Sequence, residues 1–483
     1  MTKINAKKIG LIIPVMLVIA SVFMAGAPAT LFAQGPPRPS APVMLYVSTT
    51  GSNVTGNGSM ANPYATIQYA VNAAPPHAVI VVEPGTYNEM VNVTKSLTIE
   101  SVSGQPSNTI INATGLTFGI IVSGPTTIGT TINGFTIFGA ASHGIFVEDS
   151  YNVVIEHNTL AHDGVNTTLT QEIPEDKAIE LVGVSNSTVV GNTVIDSLGG
   201  GIGVSDNGPI NPGYIGSGIP SVASYNVIST NWIINTVGGC GIVISSYNAG
   251  EGVIGNIVTG NILVSDFSSI IIAADLPNTQ ALNNIVSYNT ILNTGEAGVV
   301  IHSNAPGDVV DNNIIIGNTI SADGDPFSVP HIPIYTGILV GGEGPVPVKN
   351  TVISSNTIDK ETYGVAVING IGTQVLSNNI FTQSVEIPVN GTTVISSTIT
   401  QINGSISSMR SYINSLSSEQ GQLLSTLDSL QSAVSSLQSS AATTSQVNSL
   451  SSSLGTTTDV AYLSLVVAVV LGIIAIALAL RRK

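Results

Sequence analysis

Charge is scarce in this chain. Only 8% of its 483 residues are Asp, Glu, Lys or Arg, and no arginine stands between Arg38 and Arg410. A basic patch for nucleic acid is therefore excluded, although the net charge is −16. Asn, Ser, Thr and Gly supply the polarity instead. A single cysteine, Cys240, rules out an intramolecular disulfide, and its setting in Gly239-Cys240-Gly241-Ile242 reads as a small buried side chain rather than a nucleophile. Metal-binding patterns are equally thin. His157, His162 and His331 lack partners at ligand spacing, and Asp323 and Asp325 around Gly324 give only a weak calcium signal, so no cofactor is expected.

What is present is a repeat. The phrase apolar, any, any, Asn, any, apolar recurs with its Asn at 158, 192, 231, 261, 289, 318, 356 and 378. Two further copies carry Phe135 and Ser397 in that place. After each comes a small residue and then apolar, any, apolar: Ile145/Val147, Ile179/Leu181, Ile202/Val204, Ile242/Ile244, Ile270/Ile272, Val299/Ile301, Ile338/Val340, Val365/Val367 and Ile387/Val389. A spacing of two puts both apolar groups on one side of a strand, and β-branched residues fill these sites, which disfavours an amphipathic helix. Gly144, Gly201, Gly241, Gly298, Gly337 and Gly364 precede the second phrase, as expected where the backbone turns sharply. Short strands, corners and a coil of about the 356-to-378 step predict a mainly β solenoid. Stacking would align Ile and Val into a core and the Asn into a corner ladder, a residue that tolerates the left-handed conformation.

The stretch 44–102, with Met-Leu-Tyr-Val-Ser-Thr-Thr-Gly-Ser-Asn, Asn62-Pro63-Tyr64-Ala65-Thr66-Ile67 and Pro84-Gly85-Thr86-Tyr87-Asn88-Glu89, resembles the opening of the pectate-lyase-like superfamily. The coils that follow are similar to those of NosD-like surface proteins. This resemblance implies a right-handed parallel β-helix over 43–398. A helix from Tyr64 to Ala73, capped by Asn62 with Pro63 in its first turn, is expected to plug the open end with Ile67, Ala70 and Val71. Val79–Val82 is expected to be the first buried strand.

Chemistry is sought along outward columns, because enzymes of this resemblance place catalytic groups there. The column Phe146, Glu180, Gly203, Val243, Ile271, Val300, Leu339, Ala366 and Pro388 should face solvent, and Val243, Ile271, Val300 and Leu339 make a candidate contact stripe unless an insertion covers them. The next column, from Glu148 through Val182, Ser205, Ser245, Ala273, His302, Gly341, Ile368 and Asn390, holds no acidic pair. Asp149 and Asp206 share a corner but are two coils apart. Lys95, Lys177, Lys349 and Lys360 are scattered, and Ser142-His143-Gly144 reads as the start of a strand. The fragment Gly85-Thr86-Tyr87-x-Glu89 resembles pectinesterases, whose catalytic Asp motifs are not recognisable downstream. No catalytic residue is named, and the chain is not expected to be an enzyme. Three insertions, 163–177, 206–221 and 323–335, are candidate binding loops or undirected decoration. Sequons stand at Asn53, Asn57, Asn92, Asn112, Asn166, Asn186, Asn390 and Asn403, about as many as chance gives in such a composition.

The two ends have a different grammar. Lys3, Lys7 and Lys8 precede an apolar run from Ile9 to Ala25, the layout of a signal peptide over 1–33, with an uncleaved anchor as the alternative, and 34–42 is a Pro-rich linker. From Ile399 the period changes to heptads: Ile399, Ile406, Ile413, Gln420, Leu427 and Val434 at a, Ile402, Met409, Leu416, Leu423, Leu430 and Leu437 at d. A Ser/Thr-rich coiled-coil stalk is expected over 399–458, as a homo-oligomer with a trimer favoured over a dimer. The segment 459–480 is long and apolar enough for a transmembrane helix, and 481–483, Arg-Arg-Lys, reads as its cytoplasmic tail.

This head, stalk and anchor resemble the small, membrane-anchoring subunit of archaeal surface layers. The resemblance implies a structural cell-envelope protein, facing outward from the membrane and supporting a larger lattice protein. The alternative is a carbohydrate-binding or carbohydrate-active β-helix, or an adhesin, displayed on the same stalk.

Overall fold

The computed structural model describes residues 42–380, apart from 165–175, 207–221, 237–238, 267, 296, 322–335, 343 and 362. The signal, stalk and transmembrane segments, all three insertions in their interiors, and Asn166, Asn390 and Asn403 lie outside the described residues. Within those described, no helix is long and apolar enough to cross a membrane.

Strands of two to seven residues stack in parallel into long sheets, each coil adding a rung. Sheet I runs from Met44–Val47 to Gln374–Leu376, sheet II from Gly85–Tyr87 to Asn379–Ile380, and sheet III from Val91–Val93 to Tyr363–Val367. A fourth, sheet IV, begins only at Ala223–Ser224 and ends at Gly370–Ile371. The two repeated phrases thus make three strands per coil, because the Asn phrase spans a corner: its first apolar residue lies in sheet I and its second in sheet II. Both are buried, Ile155 and Leu160 in one coil, Val258 and Leu263 in another. The second phrase forms sheet III, and its paired residues face the same core.

Corners repeat every five residues. His157, Gly191, Thr230, Gly260, Tyr288, Gly317, Ser355 and Ser377 all have positive φ and close the corner between sheets I and II. Each stands just before a ladder Asn. The expectation that the Asn itself takes the left-handed conformation is corrected. Its backbone is ordinary, and its side chain is what matters. Asn261 Oδ1 accepts the Asn231 backbone N–H at 2.9 Å and the Asn231 amide at 2.9 Å, while Asn261 Nδ2 donates to Ile228 O at 3.0 Å. The same bonds recur from Asn158 to Asn378. Phe135, which heads the column, puts its ring in the core and gives its N–H to Asn158. A second ladder, Asn226, Asn256, Asn284 and Asn313, lies five residues earlier, at the entrance to sheet I.

The glycines before sheet III serve packing rather than a turn. None of the six has positive φ. A Cβ on Gly298 would sit 2.6 Å from Ile320 Cγ2 and 2.8 Å from Gly337 O, and Gly337 is hemmed in the same way by Ile358 and Gly364. The corner is simply too tight for a methyl group.

The capping helix, α1, spans Ile67–Ala73 and buries Ile67, Ala70 and Val71 as expected. It starts later than expected. Thr66 is the cap, accepting from Tyr69 N, while Asn62 belongs to a preceding turn and donates to Thr55 O. Glu89 accepts the N–H groups of Ile67 and Gln68, each at 2.9 Å, so the pectinesterase-like fragment ties down the cap here. Met44–Val47, of which only Val47 is buried, pairs with Ala78–Val82, and the latter is the first mostly buried strand, as expected.

Candidate functional site

Two outer walls compete for the role of functional surface. Sheet III carries two buried acids, Glu148 and Glu180, with Asp206 just past the end of one of its strands. Its outward column pairs in the expected register, Phe146 to Glu180 to Gly203 to Val243 to Ile271 to Val300 to Leu339 to Ala366. The exposure is not as expected: Phe146 is 0%, Leu339 1% and Val300 9% exposed, and only Val243 and Ile271 are partly open. A solvent-facing stripe of four is therefore corrected to two half-covered residues, because Val300 and Leu339 cluster with Ala297 and Ala366.

The acids of this wall are held in structural bonds. Glu180 is buried, accepts from Ser205 Oγ at 2.9 Å and lies flat over Gly203, where any Cβ would strike it. Glu148 is buried and accepts from Ser123 Oγ at 2.5 Å. Asp206 accepts from Ser246 Oγ at 2.6 Å and from Tyr247 N at 2.7 Å; burial raises its pKa to about 6, and those bonds pull the other way. His143 stacks on Phe118 and Phe146, and its Nδ1 lies 2.9 Å from Lys177 O and 3.1 Å from Lys177 N. Lys177 is buried as well, donating to Gly199 O at 3.2 Å. Cys240 is half-buried rather than buried.

A cluster of polar side chains on this wall reaches solvent. Ser245 Oγ donates to Asp275, and Asn304 Nδ2 donates to Asp275 Oδ1 at 2.6 Å. That leaves Asn304 Oδ1 facing His302 Nδ1 at 2.9 Å, so His302 carries its proton at Nδ1 and turns Nε2 towards Asp275, 4.0 Å away. The set can grip a hydroxyl group. Among the described residues, no second open carboxylate stands beside it. Among the described residues, no cluster of three or more His, Cys, Asp or Glu could hold a metal. Sequence reading placed His302 in its column but missed Asp275 and Asn304. The signal was there: Tyr247, Asp275 and Asn304 occupy equivalent positions just past the end of the second phrase.

Sheets I and II are the opposite. From Thr188 to Leu292 their outward positions carry no charge at all. Val227, Ile257, Ile285, Ile314 and Val352 form one half-exposed column on sheet I. Ile195, Ile234, Val264 and Leu292 form another on sheet II. Trp232, the chain's one tryptophan, is 53% exposed beside them. Tyr225 and Tyr288 sit at left-handed corners, each with its ring laid over the glycine of the next rung, Gly255 and Gly317. Its signal in the sequence is the apolar residues that flank the buried positions of each Asn phrase. Of the sequons described, Asn57 and Asn186 are exposed, whereas Asn53 is committed to bonds with Ala65 N and Thr66 Oγ1.

Residues 107–276 match the family model described as right handed beta helix region. The fold is a right-handed parallel β-helix. No curated protein matches the chain. Among solved structures it is similar to a protein described as a glycoside hydrolase, at 10% identity and a TM-score of 0.50, covering 70% of this chain and 96% of that one. It is also similar to PfbA, a surface adhesin of Streptococcus pneumoniae, at 12% identity and a TM-score of 0.44 over 68% of this chain and 89% of that one. An alginate lyase from Paenibacillus sp. str. FPU-7 stands at 15% identity and 0.45, over 68% and 96%. At these identities the likeness is one of fold.

Proposed function

We propose that this chain is a displayed binding protein, an adhesive or carbohydrate-binding β-helix carried outside the cell, and that it works without turnover. The observation that carries this reading is the contrast between the walls. The acids of sheet III are locked into structural hydrogen bonds, while sheets I and II present stacked apolar columns with exposed Trp232, Tyr225 and Tyr288. Contiguous exposed apolar surface marks interaction sites, and aromatic faces suit sugar rings as well as protein side chains. The sequence pattern at both ends supports display from a membrane.

The test is a glycan-binding screen and a polysaccharide-cleavage assay on the full detergent-solubilised chain. Saturable binding lost in Trp232→Ala, with no cleavage, supports the reading. Release of reducing or unsaturated ends from a polysaccharide overturns it. The second reading is the envelope-lattice anchor, favoured by the heptads over 399–458 and the resemblance they carry. Co-purification of a much larger lattice protein from mildly extracted envelopes would favour that reading over glycan binding.

A further inference from the structure

The corner between sheets II and III poses a question the first ladder answers. Five residues after six of the ladder Asn stands another inward polar position among the described residues: Asp163 after Asn158, Ser197 after Asn192, Thr236 after Asn231, Asp266 after Asn261, Thr294 after Asn289 and Glu361 after Asn356. Asp163 and Asp266 repeat the Asn geometry with the whole pattern shifted by five. Asn158 Oδ1 accepts from Phe135 N at 3.0 Å; Asp163 Oδ1 accepts from Ala140 N at 2.8 Å. Asn261 Oδ1 accepts from Asn231 N; Asp266 Oδ1 accepts from Thr236 N at 3.3 Å and from its hydroxyl at 2.6 Å.

The second atom of each group differs. In Asn158 and Asn261 it is an NH2 that donates to a carbonyl of the preceding coil, Ile132 O and Ile228 O. In Asp163 and Asp266 it is Oδ2, fully enclosed and without a hydrogen-bond partner. Each Oδ2 presses into the space left by a glycine: a Cβ would lie 2.5 Å away on Gly144 and 2.7 Å away on Gly241. A bare carboxylate oxygen cannot replace a donor there. A carboxylic acid can, with the carbonyls of Ile137 and Ile233 in the corresponding places five residues along.

We propose that Asp163 and Asp266 are proton-binding rungs, neutral carboxylic acids standing in for asparagine, which tie the stability of the β-helix to acidic surroundings. Burial is the first cause acting on both, raising Asp266 to about 7 and Asp163 well above the usual carboxylate range, and only accepted hydrogen bonds oppose it. Among the described residues, the titratable side chains nearest along the elements around Asp163 are His162, Asp196, His143, Asp176 and Lys177, and around Asp266, Cys240. None contributes to either shift. Both folded values exceed the unfolded one, near 3.8. The stabilisation is therefore complete below that pH and is lost as pH rises through the folded values.

The experiment is thermal unfolding of the full chain between pH 4 and pH 8, with Asp163→Asn, Asp266→Asn and the double variant. The expected result is a melting temperature that falls with rising pH in the parent and falls less in each Asn variant. The double variant should match the parent at pH 4 and exceed it at pH 8. Infrared spectroscopy of the parent gives a second reading independent of any variant's folding. A carboxylic C=O stretch should persist at pH 6, where exposed carboxyls are ionised, with an intensity above what the single carboxyl Asp206, itself raised to about 6, can supply. An unchanged pH slope in the double variant, a loss of stability in it at every pH, or absence of that excess at pH 6 would overturn the proposal.

Discussion

The two inner corners of each coil solve one problem in two ways. Between sheets I and II every described rung from Asn158 onward uses the same residue. Between sheets II and III the same position holds, among the described residues, Asp163, Ser197, Thr236, Asp266, Thr294 and Glu361. An amide can donate upward and accept downward at once, so it copies itself along a stack without charge. A hydroxyl does part of this, and a carboxyl does it only with a proton. The comparison teaches that a solenoid can tolerate variety at one corner when a neighbouring corner is held by an unbroken ladder.

Breaking the ladder should have the largest effect. Asn261→Ala leaves the Asn231 N–H, the Asn231 amide and Ile228 O without their partner inside the stack, and should cost about 3 kcal/mol in denaturant unfolding. Asn261→Asp converts the uniform corner into the mixed one. It should cost about 2 kcal/mol at pH 7, where a buried carboxylate faces Ile228 O, and should recover towards parent stability as pH falls to 4, a sign opposite to that of a salt-bridged acid. Gly298→Ala probes the close packing at the start of a sheet III strand. The added methyl meets Ile320 and the Gly337 carbonyl, so about 2 kcal/mol should be lost, read from the same unfolding curves. Trp232→Ala on the open wall should change stability by only about 0.5 kcal/mol, because the ring is 53% exposed, while abolishing ligand binding if that wall is the contact surface.

The two outer walls show where local reading stops. The register of sheet III was legible, since Ile145/Val147 and its successors have a period of two and pair as that period requires. Their cover was not. Whether Leu339 is open depends on Ala297, Val300 and Ala366, which come next to it only through stacking. The polar group at Asp275 has the same origin, for Ser245, His302 and Asn304 are brought to it by adjacent rungs. The cap was legible in its buried face and misplaced at its start, because Thr66 and the distant Glu89 together hold the first turn that Asn62 was expected to hold.

By itself the sequence determined the coil: which residues point inward, where the rungs join, and that one Asn per coil would stack. Those features are set by the two-residue alternation of a strand and by a side chain that bonds to its own copy, and both can be counted along the chain. Only the tertiary structure decided which residue of each corner goes left-handed, which wall stays open, and which carboxyls are sealed against water. Those outcomes turn on distances between residues some 20 to 40 positions apart, and desolvation by neighbours in space leaves no periodic mark in the chain.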